Sequence, residues 1–272
     1  MTSSSKLGDW RAGASVVRLG SYGHPREAVL AIGESCGTER VKRPHGRSMA
    51  KRSWMAKGLS ASRPMTGDMD DEPALVAFDF DGTLTVKDSF NAFLKWRAGP
   101  RRWARGIVRL APSLIAYLFD RNRAKLKAAA VREFLKGATV SEIENDARAF
   151  AQAHAQSLLR PDAVAVWRSW RAKGAKLVIV TASPEMTVAP FARGLGADLL
   201  IGTRLMCSED GRVLGGLDGN NCRAKEKVTR LREIFGPDVH LTAAYGDTSG
   251  DTEMLAIADE KGFRVFRGRP AT

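Results

Sequence analysis

From residue 71 onward the chain reads as an α/β fold, a parallel sheet with helices on both faces, and three observations predict it. Apolar, β-branched runs of strand length alternate with stretches of helical spacing, the order expected of a parallel sheet covered by helices. Four segments put their polar residues at strand carboxyl ends, where open α/β sheets bind ligands. The length of 272 residues accommodates one such core together with an inserted module.

The first run, Leu75-Val76-Ala77-Phe78, leads directly into Asp79-Phe80-Asp81-Gly82-Thr83-Leu84-Thr85. Side chains two apart on an extended chain point the same way, so Asp79 and Asp81 can face one small volume. Two anions that close repel each other and lose hydration, a cost that a divalent metal would remove. Gly82 would let another group approach the backbone closely. By itself the pair also fits a solvated loop with two exposed acids.

In the second run, Leu177-Val178-Ile179-Val180 ends in Thr181-Ala182-Ser183-Pro184-Glu185. Ser183 suits an N-cap and Pro184 a first helical position, and such a helix start offers free N–H groups to an anion. Capping is the expected role of Ser183, whereas Thr181 is expected to donate a hydrogen bond to a phosphate oxygen. The third segment, Gly219 to Val228, opens an amphipathic stretch through Leu231, Ile234 and Phe235. A lysine at a helix start opposes the macrodipole, so Lys227 implies an anion nearby, with Lys225 as a competitor. In the fourth, Leu241 to Tyr245 stops at Gly246-Asp247-Thr248-Ser249-Gly250-Asp251. The small residues there let Asp247 and Asp251 converge on one cation, and an all-oxygen ligand set suits Mg²⁺.

Taken in this order, the four segments resemble the haloacid dehalogenase superfamily of phosphotransferases. Asp79-Phe80-Asp81-Gly82-Thr83 followed by a long insert is similar to subclass IB, the phosphoserine-phosphatase-like group. With Asp88-Ser89-Phe90, Thr-Ala-Ser-Pro-Glu, Asn-Cys before Glu-Lys-Val, and Tyr-Gly-Asp-Thr-Ser-Gly-Asp, the chain looks most like the bacterial phosphatidylglycerophosphatase C branch. The resemblance spans roughly Leu75 to Arg269. It implies a Rossmann-like core at 71–87 and 166–272, with a helical cap at 88–165 inserted after the first strand. It further implies Asp79 as nucleophile forming an aspartyl-phosphate and Asp81 as general acid and base. Thr181 and Lys227 would hold phosphate oxygens, and Mg²⁺ would be held by Asp79, the backbone carbonyl of Asp81 and Asp247, with Asp251 nearby. The implied substrate is a phosphomonoester: phosphatidylglycerophosphate or a related lipid phosphate, or in the alternative a soluble metabolite such as phosphoserine.

Charge is unevenly spread. Residues 1–67 hold twelve Lys/Arg and four Asp/Glu, a net of +8 out of +13 for the chain. Residues 1–70 therefore read as a basic tail rich in Ser, Gly and Arg, disordered or non-native, with translation expected to begin at Met65 or Met69. A transit peptide and a basic arm for nucleic acid are the other readings of this tail. Nothing resembling an aromatic stacking platform accompanies the arm, so no nucleic-acid partner is expected. Residues 95–136 hold twelve Lys/Arg and two acids around the apolar run Ile107 to Phe119, flanked by Trp96 and Trp103. That run is too short to span a bilayer. It suits either an anionic membrane surface or a helix packed on its neighbours. The expected location is thus cytoplasmic, peripheral at the inner membrane face. Three cysteines form neither a disulfide framework nor a zinc pattern, and Cys222 is expected to be a buried packing residue. Thr203 to Leu217 should form a hairpin turning at Glu209-Asp210-Gly211, and Phe263 to Phe266 a last strand.

Overall fold

The computed structural model describes residues 17–18 and 73–271. Its sheet contains β1 (Val17–Arg18), β2 (Leu75–Phe78), β3 (Lys176–Pro184), β4 (Leu199–Cys207), β6 (Leu241–Gly246) and β7 (Ala258–Phe263) in the order β1-β4-β3-β2-β6-β7. All neighbours from β4 to β7 are parallel, and β1 pairs antiparallel with Leu199–Leu200 at the edge. The hairpin strand β5 (Val213–Asp218) pairs antiparallel with the end of β4. Its turn includes Gly211 at φ +74°, a conformation that favours glycine.

The helices follow from apolar spacing and caps. They are α1 (Ser89–Asp120), α2 (Arg123–Phe134), α3 (Val140–Leu158), α4 (Pro161–Ala172), α5 (Glu185–Leu195), α6 (Lys225–Phe235) and α7 (Thr252–Ala256). Asp88 caps α1 through its Oδ1, and Thr139 with Glu142 forms a capping box at α3. Gly99 at φ +69° followed by Pro100 kinks α1. Helices α1 to α4 occupy the connection between β2 and β3.

Strand β2 sits between β3 and β6, and Val76, Ala77 and Phe78 are fully buried, as a strand covered on both faces requires. On one face Phe78 packs against Trp167 of α4 and Tyr245 of β6, at ring-centroid distances of 5.0 and 4.5 Å. On the other, Ala77, Val178 and Val180 join Leu231 of α6 and Met254 of α7. Burying each large apolar side chain contributes roughly 1.5–3 kcal/mol, so this core fixes the carboxyl ends of β2, β3 and β6 rigidly beside one another.

Several expectations need correcting. Strand β3 runs on through Ser183 and Pro184, and the next helix starts only at Glu185. The last strand lies earlier than Phe263 to Phe266, because Arg264 turns out at φ +54° and Phe266 folds back to pack, tilted, against Tyr245 at 5.3 Å. Helix α4 buries Ala163 and Trp167 against the sheet. Within the basic tail, Val17–Arg18 pair with β4; the rest of that expectation lies outside the described residues.

Candidate active site

The central strands end together, and their last residues form one pocket. The Asp79 N–H donates to the Tyr245 carbonyl at 2.8 Å, extending the β2–β6 ladder by one step. Asp79, 6% exposed, is thereby carried to the lip of β6. Beyond it, Phe80–Leu84 winds as one irregular turn with Gly82 at φ +87°. A Cβ at Gly82 would lie 2.2 Å from Asp247 Oδ2, so the glycine is required both by its backbone angle and by the close approach of that carboxylate. One oxygen each from Asp79, Asp247 and Asp251 lies within 4.8 Å of the others.

Lys227 enters from the first turn of α6. It is 1% exposed and its Nζ donates to Asp79 Oδ1 at 2.6 Å, Asp251 Oδ1 at 2.7 Å and the Val180 carbonyl at 2.6 Å. All three ammonium protons are thus engaged, two of them by carboxylates. Lys225 is exposed and takes no part. Thr181, also 1% exposed, ends the apolar part of β3 and lines the same pocket.

The electrostatics follow from burial. Desolvation pushes the Asp79 carboxyl up to about 7 even though Lys227 pulls the other way, with Asp251 adding to the rise. Asp247 is also raised, first by burial and then by Asp251. Burial acts upward on Asp251 too, but Lys227 and the donors of Thr248 outweigh it and hold this carboxyl low. On Lys227, burial would lower the ammonium, yet Asp79 and Asp251 more than offset it and the net shift is upward. Asp79 and Asp251 therefore share one ammonium, and Asp247 lies beside them without a direct bond to it. Asp247 Oδ1, buried, has no hydrogen-bond partner among the described residues. An orphaned carboxylate oxygen in an all-oxygen cluster fits a hard divalent cation.

Asp81 stands outside that cluster. Its Oδ1 accepts from the Ser89 N–H at 2.7 Å and its Oδ2 from the Ser183 hydroxyl. Ser183 is therefore a partner of Asp81 rather than a helix cap, and the two donors fix both oxygens of the acid. Cys222 is buried and its thiol is pushed up to about 11 by desolvation, which keeps it protonated and unreactive.

The pocket encloses about 420 Å³, the size of a small-ligand site. Helices α1 and α2 close its outer part with Tyr117, Arg123, Leu126, Lys127 and Ala130. Lys127 bonds to the Ala182 carbonyl and, at 3.0 Å, to Asn221 Oδ1. Sequence reasoning overlooked Lys127, which sits among eleven other basic residues in 95–136 with no local mark to single it out. Asn221 was within a motif but had no role assigned, and Ser89 likewise. The sequence-predicted residues Asp79, Asp81, Thr181, Lys227, Asp247 and Asp251 all line this one pocket.

A family model described as haloacid dehalogenase-like hydrolase matches residues 76–256. Protein CicA of Caulobacter vibrioides (strain NA1000 / CB15N) is 85% identical over 223 residues, which cover 82% of this chain and 100% of that protein. Among solved structures, a protein of unknown function from Bordetella pertussis Tohama I matches with a TM-score of 0.56 and 23% identity, over 68% of this chain and 86% of that one. A probable phosphoserine phosphatase from Vibrio cholerae, in unliganded form, matches with a TM-score of 0.50 and 20% identity, over 71% of this chain and 56% of the other. At these identities the two structures share the fold.

Proposed function

The chain belongs to the haloacid dehalogenase-like hydrolase family, and on that premise we propose that it hydrolyses phosphomonoesters, with a lipid phosphate such as phosphatidylglycerophosphate as substrate. The observation that carries the reading is the three-carboxylate cluster with Lys227 at the end of the central strands. In this mechanism Asp79 attacks phosphorus in line: a bond forms from its carboxylate oxygen to phosphorus while the bond to the leaving oxygen breaks. Lys227 holds Asp79 Oδ1, which leaves Oδ2 for the attack. Asp81 gives its proton to the departing alkoxide and then takes one from the water that cleaves the aspartyl-phosphate, so alcohol and inorganic phosphate are released. Ser89 and Ser183 hold Asp81 in place for both transfers. Thr181 and Lys227 stabilise the equatorial oxygens as charge builds on them. Asp79, Asp247, Asp251 and the Asp81 carbonyl would hold Mg²⁺, which when bound offsets the repulsion between these carboxylates and the substrate phosphate.

In this reading residues 88–165 form the cap over the site. The outer half of α1 supports the lipid substrate. Val108 is 74% exposed, Ile115 56%, Leu118 62% and Phe119 84%, beside the exposed Arg101, Arg105 and Arg109. Tyr117 of the same helix lines the pocket, and the basic rim of this ridge suits an anionic bilayer. Trp103 is not part of the ridge: it stacks on Phe134 at 5.0 Å. Among the described residues no helix is long and apolar enough to cross a membrane.

Phosphate release from a panel of phosphomonoesters, with and without Mg²⁺, tests the reading. Turnover of detergent-dispersed phosphatidylglycerophosphate is expected, whereas exclusive turnover of phosphoserine would eliminate the lipid substrate. Asp79→Asn should lower turnover by about 10⁴-fold or more and abolish the phosphorylated protein seen by intact-mass measurement. Normal activity in that variant would remove Asp79 as nucleophile.

A further inference from the structure

The outer half of the pocket holds a cation that the proposed chemistry does not use. Lys127 projects from α2, on the helix face that also brings Arg123, Leu126 and Ala130 to the cavity. Its Nζ meets two oxygens, the Ala182 carbonyl and Asn221 Oδ1, both uncharged. Among the described residues no carboxylate lies within ion-pair distance of it.

The two acids that act on it most strongly, Asp81 and Asp88, already accept hydrogen bonds. Both oxygens of Asp81 accept hydrogen bonds, from Ser89 and Ser183. Asp88 Oδ1 accepts from the Asn91 N–H at 2.7 Å. Arg123 and Arg223 line the same cavity, and neither makes an ion pair among the described residues. A half-buried ammonium held only by neutral oxygens retains a charge that an incoming anion can neutralise at little cost in reorganisation.

The oxygens it touches are themselves fixed. The Thr203 hydroxyl donates to the Ala182 carbonyl and lies 3.0 Å from Asn221 Oδ1, while the Cys222 N–H donates to Thr203. The ammonium is therefore positioned before any ligand arrives. Burial also pushes it down to about 8, the opposite direction to Lys227, even though Asp81 and Asp88 draw it upward.

We infer that Lys127 determines specificity by binding a second anionic group on the leaving-group side of the substrate, a carboxylate or a phosphodiester set apart from the phosphate that is cleaved. This rests on the phosphomonoester reading of the same pocket and adds a substrate class to it. Lys227 serves the transferring phosphate and Lys127 the remainder of the molecule, with Arg123 and Arg223 adding positive potential around it.

Two substrate pairs test this and separate the sources of the anion. O-phosphoserine carries a carboxylate that phosphoethanolamine lacks. The phosphomonoester of glycerophosphoglycerol, a lipid headgroup without its acyl chains, carries a phosphodiester that glycerol 3-phosphate lacks. The protein is expected to prefer the second-anion member of at least one pair by tenfold or more in kcat/KM, mainly through KM. Lys127→Gln, which keeps an N–H donor without the charge, should bring that ratio to within about threefold of unity, and Lys127→Arg should retain most of it. No preference in either pair, or a preference that survives Lys127→Gln, would overturn the inference while p-nitrophenyl phosphate is still turned over. Failure to turn over p-nitrophenyl phosphate at all would overturn the phosphomonoester reading, and this inference with it. Inhibition of the unmodified protein gives a measurement independent of any variant. Glycerophosphoglycerol should inhibit p-nitrophenyl phosphate turnover at least tenfold more strongly than glycerol, and equal inhibition would count against Lys127.

Discussion

Two lysines one hundred residues apart reach the same cavity, and their surroundings differ in one respect. Lys227, at the inner end, is 1% exposed and lies between two carboxylates at 2.6 and 2.7 Å. Lys127, at the outer end, is half-buried and meets only neutral oxygens. The inner ammonium belongs to a network that must be neutral enough to fold, so it is part of the frame. The outer one is left with charge to spare, so it is available to a ligand. Charge compensation, more than burial, separates a cation that also holds the frame of the phosphate site from one left to recognise the rest of the substrate.

The largest expected effect strikes the inner end. Lys227→Met leaves Asp79 and Asp251 buried together without their cation, which should destabilise the fold by about 3–5 kcal/mol and abolish turnover. The midpoint of urea denaturation measures the first and phosphate release the second. A variant as stable as the parent would mean that the two carboxylates do not depend on this ammonium. Gly82→Ala comes next. The added methyl meets Asp247 Oδ2 and the backbone is held at φ +87°, so activity should fall by about 10²-fold through displacement of that carboxylate. Weaker Mg²⁺ activation should accompany the loss, and unchanged Mg²⁺ dependence would detach Asp247 from the metal.

Ser183→Ala probes the junction between the two ends by removing the hydroxyl that donates to Asp81. A fall of about tenfold in kcat with little change in KM is expected from steady-state kinetics. An altered KM alone would place Ser183 in binding rather than in the support of Asp81.

Asp162 sits away from both ends and provides the smallest effect. Its Oδ2 accepts the N–H groups of Arg267 and Gly268 at 2.7 Å, fastening the C-terminal segment to the start of α4. Asp162→Ala should cost about 1 kcal/mol of stability and leave p-nitrophenyl phosphate kinetics unchanged. Burial acts upward on this carboxyl, but the backbone donors, Gly268 and Arg267 foremost, outweigh it and its folded value is lowered. A lowered carboxyl stabilises the fold above its unfolded value of about 4 and loses that contribution as pH falls through the folded one. The difference in stability between parent and variant should accordingly shrink below about pH 4; a difference independent of acid would assign the effect to packing.

Much of the site was legible because its chemistry sits at strand ends. Asp79, Thr181 and Asp247 each follow an apolar run, and a parallel sheet brings such ends to one edge whatever the loops do. Lys227 was legible for a different reason, being a cation at the helix end that repels cations. Ser183 was misread because Ser-Pro-Glu is also a good helix start. Its hydroxyl belongs to Asp81, a partner 102 positions away that local spacing cannot reveal.

By itself, the sequence determined the parallel sheet, the edge that carries the acids and the family to which the chain belongs. These depend on residue type and on periods of a few residues, which act locally. Only the tertiary structure decided that Asp247 presses against Gly82, that Lys227 spans two carboxylates, and that Arg123 and Lys127, out of twelve basic residues in 95–136, reach the cavity. Those outcomes depend on contacts between residues distant in the chain, and such contacts are fixed only when the sheet and its helices pack.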